Sequence, residues 1–421
     1  MRLPYRDVLA LHEFRLFIGA RTASQLGNYA SITVIAFAVL STGAGAGGVG
    51  LVLGAESLAM AVVLLLGGVL GDRVPRRRVL VSADVFRFFT QGLTAALLLA
   101  GVAQLWELMI LQFLSGAASG IVVPSICAIS QETVPARLRK DNNAMQSLVL
   151  AVSTVVGPGL GALLTAVSSP GGALAADAFS FLVSAMLLSR LRVGSQRGGA
   201  AENALANMRQ GWHEFRRRRW LWSVTVLCGV SVLVVYAPIM ALGPVVAKQW
   251  LGGVSAWAAI LAAMGIGGIV AGVVVAWIHP AKPLAWVVWG SILWLPVLPL
   301  LAFHAPVWSI APAAALFGFD NTLFWTFWGT TVQQRVPKDV LARVNSFDSL
   351  GIYGPSPLAY FLIGPVVGLL RVSGTLLAGG VILTVAIVAV GLVPEVRTFT
   401  DLGHQPSTRQ APPLSEQPDA S

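Results

Sequence analysis

Stretches without a single charged residue, each long enough to cross a lipid bilayer, recur from one end of this chain to the other. They cover residues 88–106, 108–131, 142–176, 250–281, 283–319 and 372–394. A spanning helix takes about 20 apolar residues, so several of these stretches are long enough for two crossings. Those long runs are broken by turn-forming segments: STGAGAGGVG at 41–50, SSPGG at 168–172 and FHAPVW at 303–308. Splitting them there predicts twelve helices, over 15–40, 48–71, 79–101, 106–130, 143–167, 171–192, 220–245, 254–278, 284–303, 307–332, 345–370 and 373–394. Composition agrees. The 421 residues are 56% hydrophobic and 11% charged, whereas soluble domains carry about 25% charge. The predicted fold class is an all-α polytopic membrane protein.

A formal charge of +10 would suit a nucleic-acid binder if the charge formed one patch. It does not. With both termini cytoplasmic, Lys248 and Arg371 fall in outer loops and Arg21 and Arg87 inside helices. The other 24 of the 28 basic residues lie on or near the inner side. This is the positive-inside pattern; it places the chain in the inner (plasma) membrane and excludes nucleic acid as a partner. The N-terminus, MRLPYRDVLALHEFR, lacks a cleavable signal pattern. Cys127 and Cys228 both fall in predicted helices, so no disulfide framework is implied. The five histidines show no metal spacing, no Gly-Lys pair of a phosphate-binding loop occurs, and neither cofactor nor enzymatic activity is expected.

The chain reads as two six-helix bundles, 1–192 and 220–395, with a linker at 193–219 and a disordered cytoplasmic tail at 396–421. QETVPARLRKDNNAMQSL at 131–148 aligns with QQRVPKDVLARVNSFDSL at 333–350, identical at six of eighteen positions. GPGLGALL at 157–164 is echoed by GPVVGLLR at 364–371. Paired bundles of this kind belong to transporters whose halves rock about a central site. In the linker, Leu205, Met208, Trp212 and Phe215 share one helical face and precede four arginines, 216–219. That pattern predicts an amphipathic helix on the inner membrane surface, held by anionic lipid headgroups.

One loop is more specific. GGVLGDRVPRRRVL at 67–80 resembles the helix 2–3 signature of the major facilitator superfamily, matching it at Gly68, Leu70, Asp72, Arg73, Arg76 and Leu80. Gly71, Pro75 and Arg77 replace an alanine, a glycine and a lysine of that signature. The resemblance implies a cytoplasmic gate: Asp72 beside the N-terminus of helix 11, with Arg73 and Arg76 closing an ion-pair network around it. A carboxylate is favoured beside a helix N-terminus, and Gly68 allows close helix approach. Asp84 and Arg87, three apart on helix 3, are read as part of the same network. The equivalent loop of the second half, near Lys282, is degenerate.

Gly157, Pro158 and Gly161 in helix 5 are similar to the motif that marks exporters in this superfamily. FRLFIGARTASQLGNYA (14–30), VPARLRKDNNAMQS (134–147) and ALAADAFSFLVSAMLLSRLR (173–192) resemble the branch of macrolide-efflux and siderophore-export proteins. Two departures stand out. Asn28 occupies the position of a usual aspartate, and Gln112 that of the helix 4 arginine of many drug–proton antiporters. Ionisable groups within the membrane are functional candidates by default, and Glu56 and Asp320 are the candidates for proton coupling. Asp177 is read as structural. Arg21, Asn28, Gln112, Tyr236, Asn321 and Trp325 are candidate cavity residues, and at least half of the rings of Phe319, Phe324, Trp325, Phe327 and Trp328 are expected to face lipid.

These readings converge on a monomeric secondary transporter that exports a small hydrophobic or amphipathic molecule, of drug, antibiotic or siderophore type, in exchange for protons. Uptake of a small metabolite on the same fold is the alternative. A non-transporting receptor is a remote one, since no signalling domain is recognisable.

Overall fold

The computed structural model describes residues 6–70, 75–192, 204–275, 277–278 and 280–398. Among the described residues every regular element is a helix. In the first half the long helices are α1 (His12–Ser41), α2 (Ala46–Leu70), α3 (Arg76–Leu99), α4 (Leu105–Glu132), α5 (Arg139–Val167) and α6 (Pro170–Ser189). The second half holds α7 (Arg219–Leu251), α8 (Val254–Val274), α9 (Pro283–Ala302) and α10 (Val307–Arg335). Lys338–Tyr353 and Ser356–Gly391 then follow. The second of these breaks at Arg371, whose φ of 59° and ψ of 174° are not helical. We therefore take 338–370 as α11 and 372–391 as α12. The twelve predicted crossings are thus all present.

Local chemistry accounts for the helix ends. Ser169 caps α6, accepting from the Gly172 amide at 3.1 Å with Pro170 just inside the helix. Gln104 and Glu107 form a capping box on α4, the Gln104 amide donating to Glu107 Oε2 at 2.8 Å. The hairpin between α7 and α8 turns through Gly252 and Gly253, at φ 95° and 89°, where a side chain would be strained. One element departs from the prediction. α7 runs beyond 245 to Leu251 through two π-helical turns, Val232–Tyr236 and Ala247–Leu251. Apolar periodicity carries no sign of such turns.

Within the first half α3 packs on α6, α2 on α4, and α1 on both α5 and α6. The halves meet through α2 against α11 and α5 against α8, with α1 touching α7. The second and fifth helices of each half thus exchange partners, as a pseudo-twofold requires. Small residues make the approach possible. A β-carbon on Gly50 would overlap the Tyr360 carbonyl oxygen, and one on Gly47 would lie 3.4 Å from Gly364 Cα.

These contacts are unevenly distributed with depth. One apolar core joins Val34–Leu40 of α1 and Val49, Val52 and Leu53 of α2 to Ile239 and Met240 of α7 and the rest of the second half. The first-half members lie from mid-depth to the ends remote from the arginine-rich loops, whereas the second-half members reach the arginine-rich end at Phe215, Trp220, Val336 and Val340. Nearer those loops the first half keeps separate cores, one around Phe17, Leu80, Ile126 and Leu191, another around Val8, Phe14, Val134 and Leu138. Among the described residues the halves therefore share a core at one end of the molecule and not at the other.

Candidate functional site

At the arginine-rich end, α2 closes at Leu70 with Gly68 in its last turn, and α3 starts at Arg76. Asp72 and Arg73 lie outside the described residues. The basic residues that follow cap neighbouring helices. Arg76 Nη1 pairs with Glu132 Oε1 at the end of α4, 3.3 Å away. Arg77 donates to the carbonyls of Leu188 (3.3 Å) and Ser189 at the end of α6, where a cation complements the helix dipole. Among the described residues Arg76 is thus engaged within the first half.

The inner end of α11 is covered by the linker helix, Ala204–Arg217. Its expected helical character is present, but a protein surface takes part of its apolar face. Phe215, 7% exposed, and Trp212 stack at 5.9 Å, and Phe347 of α11 lies 5.5 Å from Trp212 and 6.2 Å from Phe215. Arg343 of α11 donates to Gln210, and Gly211 fits against Arg343 and Phe347. The side chains of Leu205 and Met208 lie outside the described residues.

A polar cluster occupies the middle of the first half. Arg87 is the twelfth of the 24 residues of α3 and is 3% exposed. The sequence reading starts this helix three residues later, which puts Arg87 near the inner loop; the observed start puts it at mid-depth. Its guanidinium carbon sits 3.8 Å above the Phe181 ring of α6, and Nη2 donates to Asn28 Oδ1 of α1. Asp84 accepts from Ser184 of α6 at 2.5 Å. Asp177, one turn from Phe181 on the other side, converges with Ser180 on Gly27 of α1. A β-carbon on Gly27 would overlap both Asp177 Oδ1 and Ser180 Oγ. Neither Asp177 oxygen makes a hydrogen bond of normal geometry, and Arg87 Nε has no partner. Glu56, half-buried on α2, lies within electrostatic range of both Arg87 and Asp177. Asp84 and Arg87 are therefore brought together, with α1 and α6 as their described partners.

The helix 5 motif faces two ways. A β-carbon on Gly157 would meet Tyr29 at 2.5 Å and one on Gly161 would overlap the Ala30 carbonyl oxygen, so both glycines admit α1. Gly159 points across to α8, 3.9 Å from the Ala262 amide. Pro158 stands between these two contacts.

The other candidates are dispersed. Gln112 is fully buried and pairs with Gln91 of α3, donating Nε2 to Oε1 at 3.1 Å; it belongs to the core of the first half, not to a cavity. Arg21 is half-buried two turns inward of Asn28. Tyr236 ends the first π turn of α7 and lies within electrostatic range of Tyr29 and Tyr353. On α10, Asn321 is half-buried, and Trp325, 37% exposed, stacks on Tyr353 at 6.4 Å. Three of the neighbouring rings, Phe324, Phe327 and Trp328, are buried in protein at 1%, 9% and 2% exposure, fewer facing lipid than expected. Asp320, 5% exposed, is seated in the second half between α9 and α10, with Oδ1 in the space that a β-carbon on Gly290 would take.

Asp348 escapes the sequence reading. It accepts from Thr225 of α7 at 2.6 Å and from the Trp328 indole at 3.1 Å, tying α7, α10 and α11 together. The internal repeat carries the signal that could have found it, because Asp348 aligns with Gln146. Gln146 makes the corresponding bond in the first half, donating to Ser130 Oγ of α4 at 2.5 Å.

Twelve helices in two exchanged bundles, joined by glycines and enclosing mid-membrane polar groups, define a transporter of the major facilitator fold. The family described as transmembrane secretion effector matches residues 7–420, and the chain belongs to it. It is 24% identical to the enterobactin exporter EntS of Salmonella typhimurium over 368 residues, 85% of this chain and 84% of that protein. It is 25% identical to macrolide efflux protein A of Streptococcus pyogenes over 190 residues, 44% of this chain and 46% of that one. This match thus spans about half the length of the macrolide relative. Among solved structures, a mutant of the nucleoside transporter NupG superposes with a TM-score of 0.70 at 13% identity, covering 90% of this chain and 98% of that one. The protein is a multi-pass membrane protein of this transport family.

Proposed function

We propose that the protein exports a small hydrophobic or amphipathic molecule from the cytoplasm by alternating access, driven by proton entry. The observation that carries this reading is the distribution of the apolar core, shared between the halves at the arginine-poor end and separate at the other. With the arginine-rich loops cytoplasmic, this arrangement is closed outside and free to part inside, the state in which an exporter loads. The likeness to an enterobactin exporter over most of the chain supports the direction.

In this scheme Asn28, Arg21, Tyr236, Asn321 and Trp325 border the substrate path, and Gly157-Pro158-Gly159 transmits movement between α1 and α8. Asp72 and Arg73 latch the inner side when the cavity opens outward. Both termini are cytoplasmic, the transporter works as a monomer in the plasma membrane, and the arginines after the linker helix rest on anionic headgroups. Of the two expected coupling carboxylates, Glu56 faces the Arg87 cluster, whereas Asp320 is packed inside the second half. Everted membrane vesicles test the reading with a panel of macrolides, lipophilic cations and catecholate siderophores. Respiration-driven uptake of one class, collapsed by a protonophore, is expected, lost in Glu56→Gln and kept in Asp320→Asn. Uptake that survives the protonophore contradicts proton coupling.

A further inference from the structure

We propose that Asp177 is a proton-carrying acid of this transporter and that Arg87 exchanges between Asn28 and Asp177 as the proton comes and goes. The inference rests on the proton-driven reading above and names an acid that the sequence patterns left as structural.

The geometry is that of a switch with one arm made. Asp177, Phe181 and Ser184 lie on one face of α6, one turn apart, opposite Asp84, Arg87 and Gln91 on α3. The Arg87 guanidinium rests over Phe181, between Ser184, which is bonded to Asp84, and Asp177. It gives its hydrogen bond to a neutral amide, Asn28, and is in no ion pair among the described residues. A buried cation beside a buried carboxylate that it does not engage is an unusual arrangement, because each uncompensated charge at this depth is costly. Two arrangements satisfy the site. When Asp177 carries a proton it is neutral and Arg87 can stay on Asn28. When Asp177 releases that proton to water, the carboxylate recruits Arg87, and Asn28 is left free. The cation–π seat allows the guanidinium to pivot without leaving an aromatic face.

The charged surroundings are few. α3 presents Arg87 and, a turn inward, Asp84. α1 presents Gly27 and Asn28, with Arg21 two turns inward; α2 contributes Glu56. α5 carries no ionisable residue between 142 and 167. What the exchange moves is α1, which Arg87 holds through Asn28 on one side while Gly157 and Gly161 of the export motif clasp it on the other. A proton step at Asp177 thus reaches the helix that touches both α5 and α7.

The test needs no substrate, so its outcome is separate from that of the export reading. Infrared difference spectra of the purified protein in lipid are recorded between acidic and alkaline pH. The parent should show protonated-carboxyl absorption that vanishes with base, one component of it absent in Asp177→Asn and kept in Glu56→Gln. In Arg87→Gln that component should persist to higher pH, since the carboxylate has lost its cation. Should Asp177→Asn fail to accumulate in membranes, Asp177→Glu is read instead and should move the band in frequency and in titration midpoint. A band that survives unchanged in Asp177→Asn or Asp177→Glu, or an Arg87→Gln titration identical to the parent's, would overturn the proposal.

Discussion

Arg87 and Asp348 show two ways in which a charged side chain can live at membrane depth. Asp348 is fully provided for, with donors from Thr225 and Trp328. Arg87 has a neutral amide, an aromatic face and an idle Nε. The first arrangement is a clasp, the second a poised contact. Replacing Asp348 with alanine leaves the buried Trp328 indole N–H without its acceptor, while the Thr225 hydroxyl keeps the Leu221 carbonyl at 2.9 Å; the orphaned donor costs about 1–3 kcal/mol. A lowered thermal midpoint of the purified protein, with transport per folded molecule retained, is the expected result. The depth of Arg87 was not legible from sequence, because moving a helix start by three residues slides every side chain by about 4.5 Å along the membrane normal. Which face meets which neighbour is set by packing, and that is why Gln112 read as a cavity group.

At the scale of elements, length and apolar content were enough to place all twelve crossings, including α3 and α10, which are polar or aromatic enough to fall short of a simple hydropathy threshold. The glycines of helix 5 were equally legible, since close approach leaves a mark in composition. What docks on an amphipathic face leaves none. Trp212 and Phe215 carry the same signal whether they meet lipid or Phe347, and the structure gives them Phe347. The π turns of α7 are hidden for a related reason: one extra residue per turn alters no side-chain type. Truncating Phe347 to alanine should undock the linker helix while leaving the twelve crossings intact. Hydrogen exchange over residues 204–217 is expected to rise severalfold, with the rate elsewhere unchanged. Protection that persists in this variant would mean that the helix is held by the membrane surface instead.

Considered whole, the molecule is a pair of bundles sharing one core near the end remote from the arginine-rich loops, with an arginine-capped opposite face whose contacts among the described residues are mostly local to each half. Arg76 and Arg77 close helices of the first half; Arg343 engages the linker helix. The latch proposed between the halves on that side rests on Asp72 and Arg73, which lie outside the described residues. Asp72→Asn should leave the protein in the membrane and slow turnover by at least about tenfold, the equivalent of one charge-assisted contact of some 1.4 kcal/mol. Turnover equal to the parent's would remove the latch from the mechanism.

The most direct measurement of the central claim uses purified protein in liposomes with a trapped pH dye, challenged in turn with a macrolide, a lipophilic cation and a catecholate siderophore. Coupled export predicts that one class, and not the others, drives proton movement opposite to its own and that the signal disappears when the gradient is collapsed. A compound that crosses the membrane through the protein with no accompanying change in the dye would contradict proton-driven export.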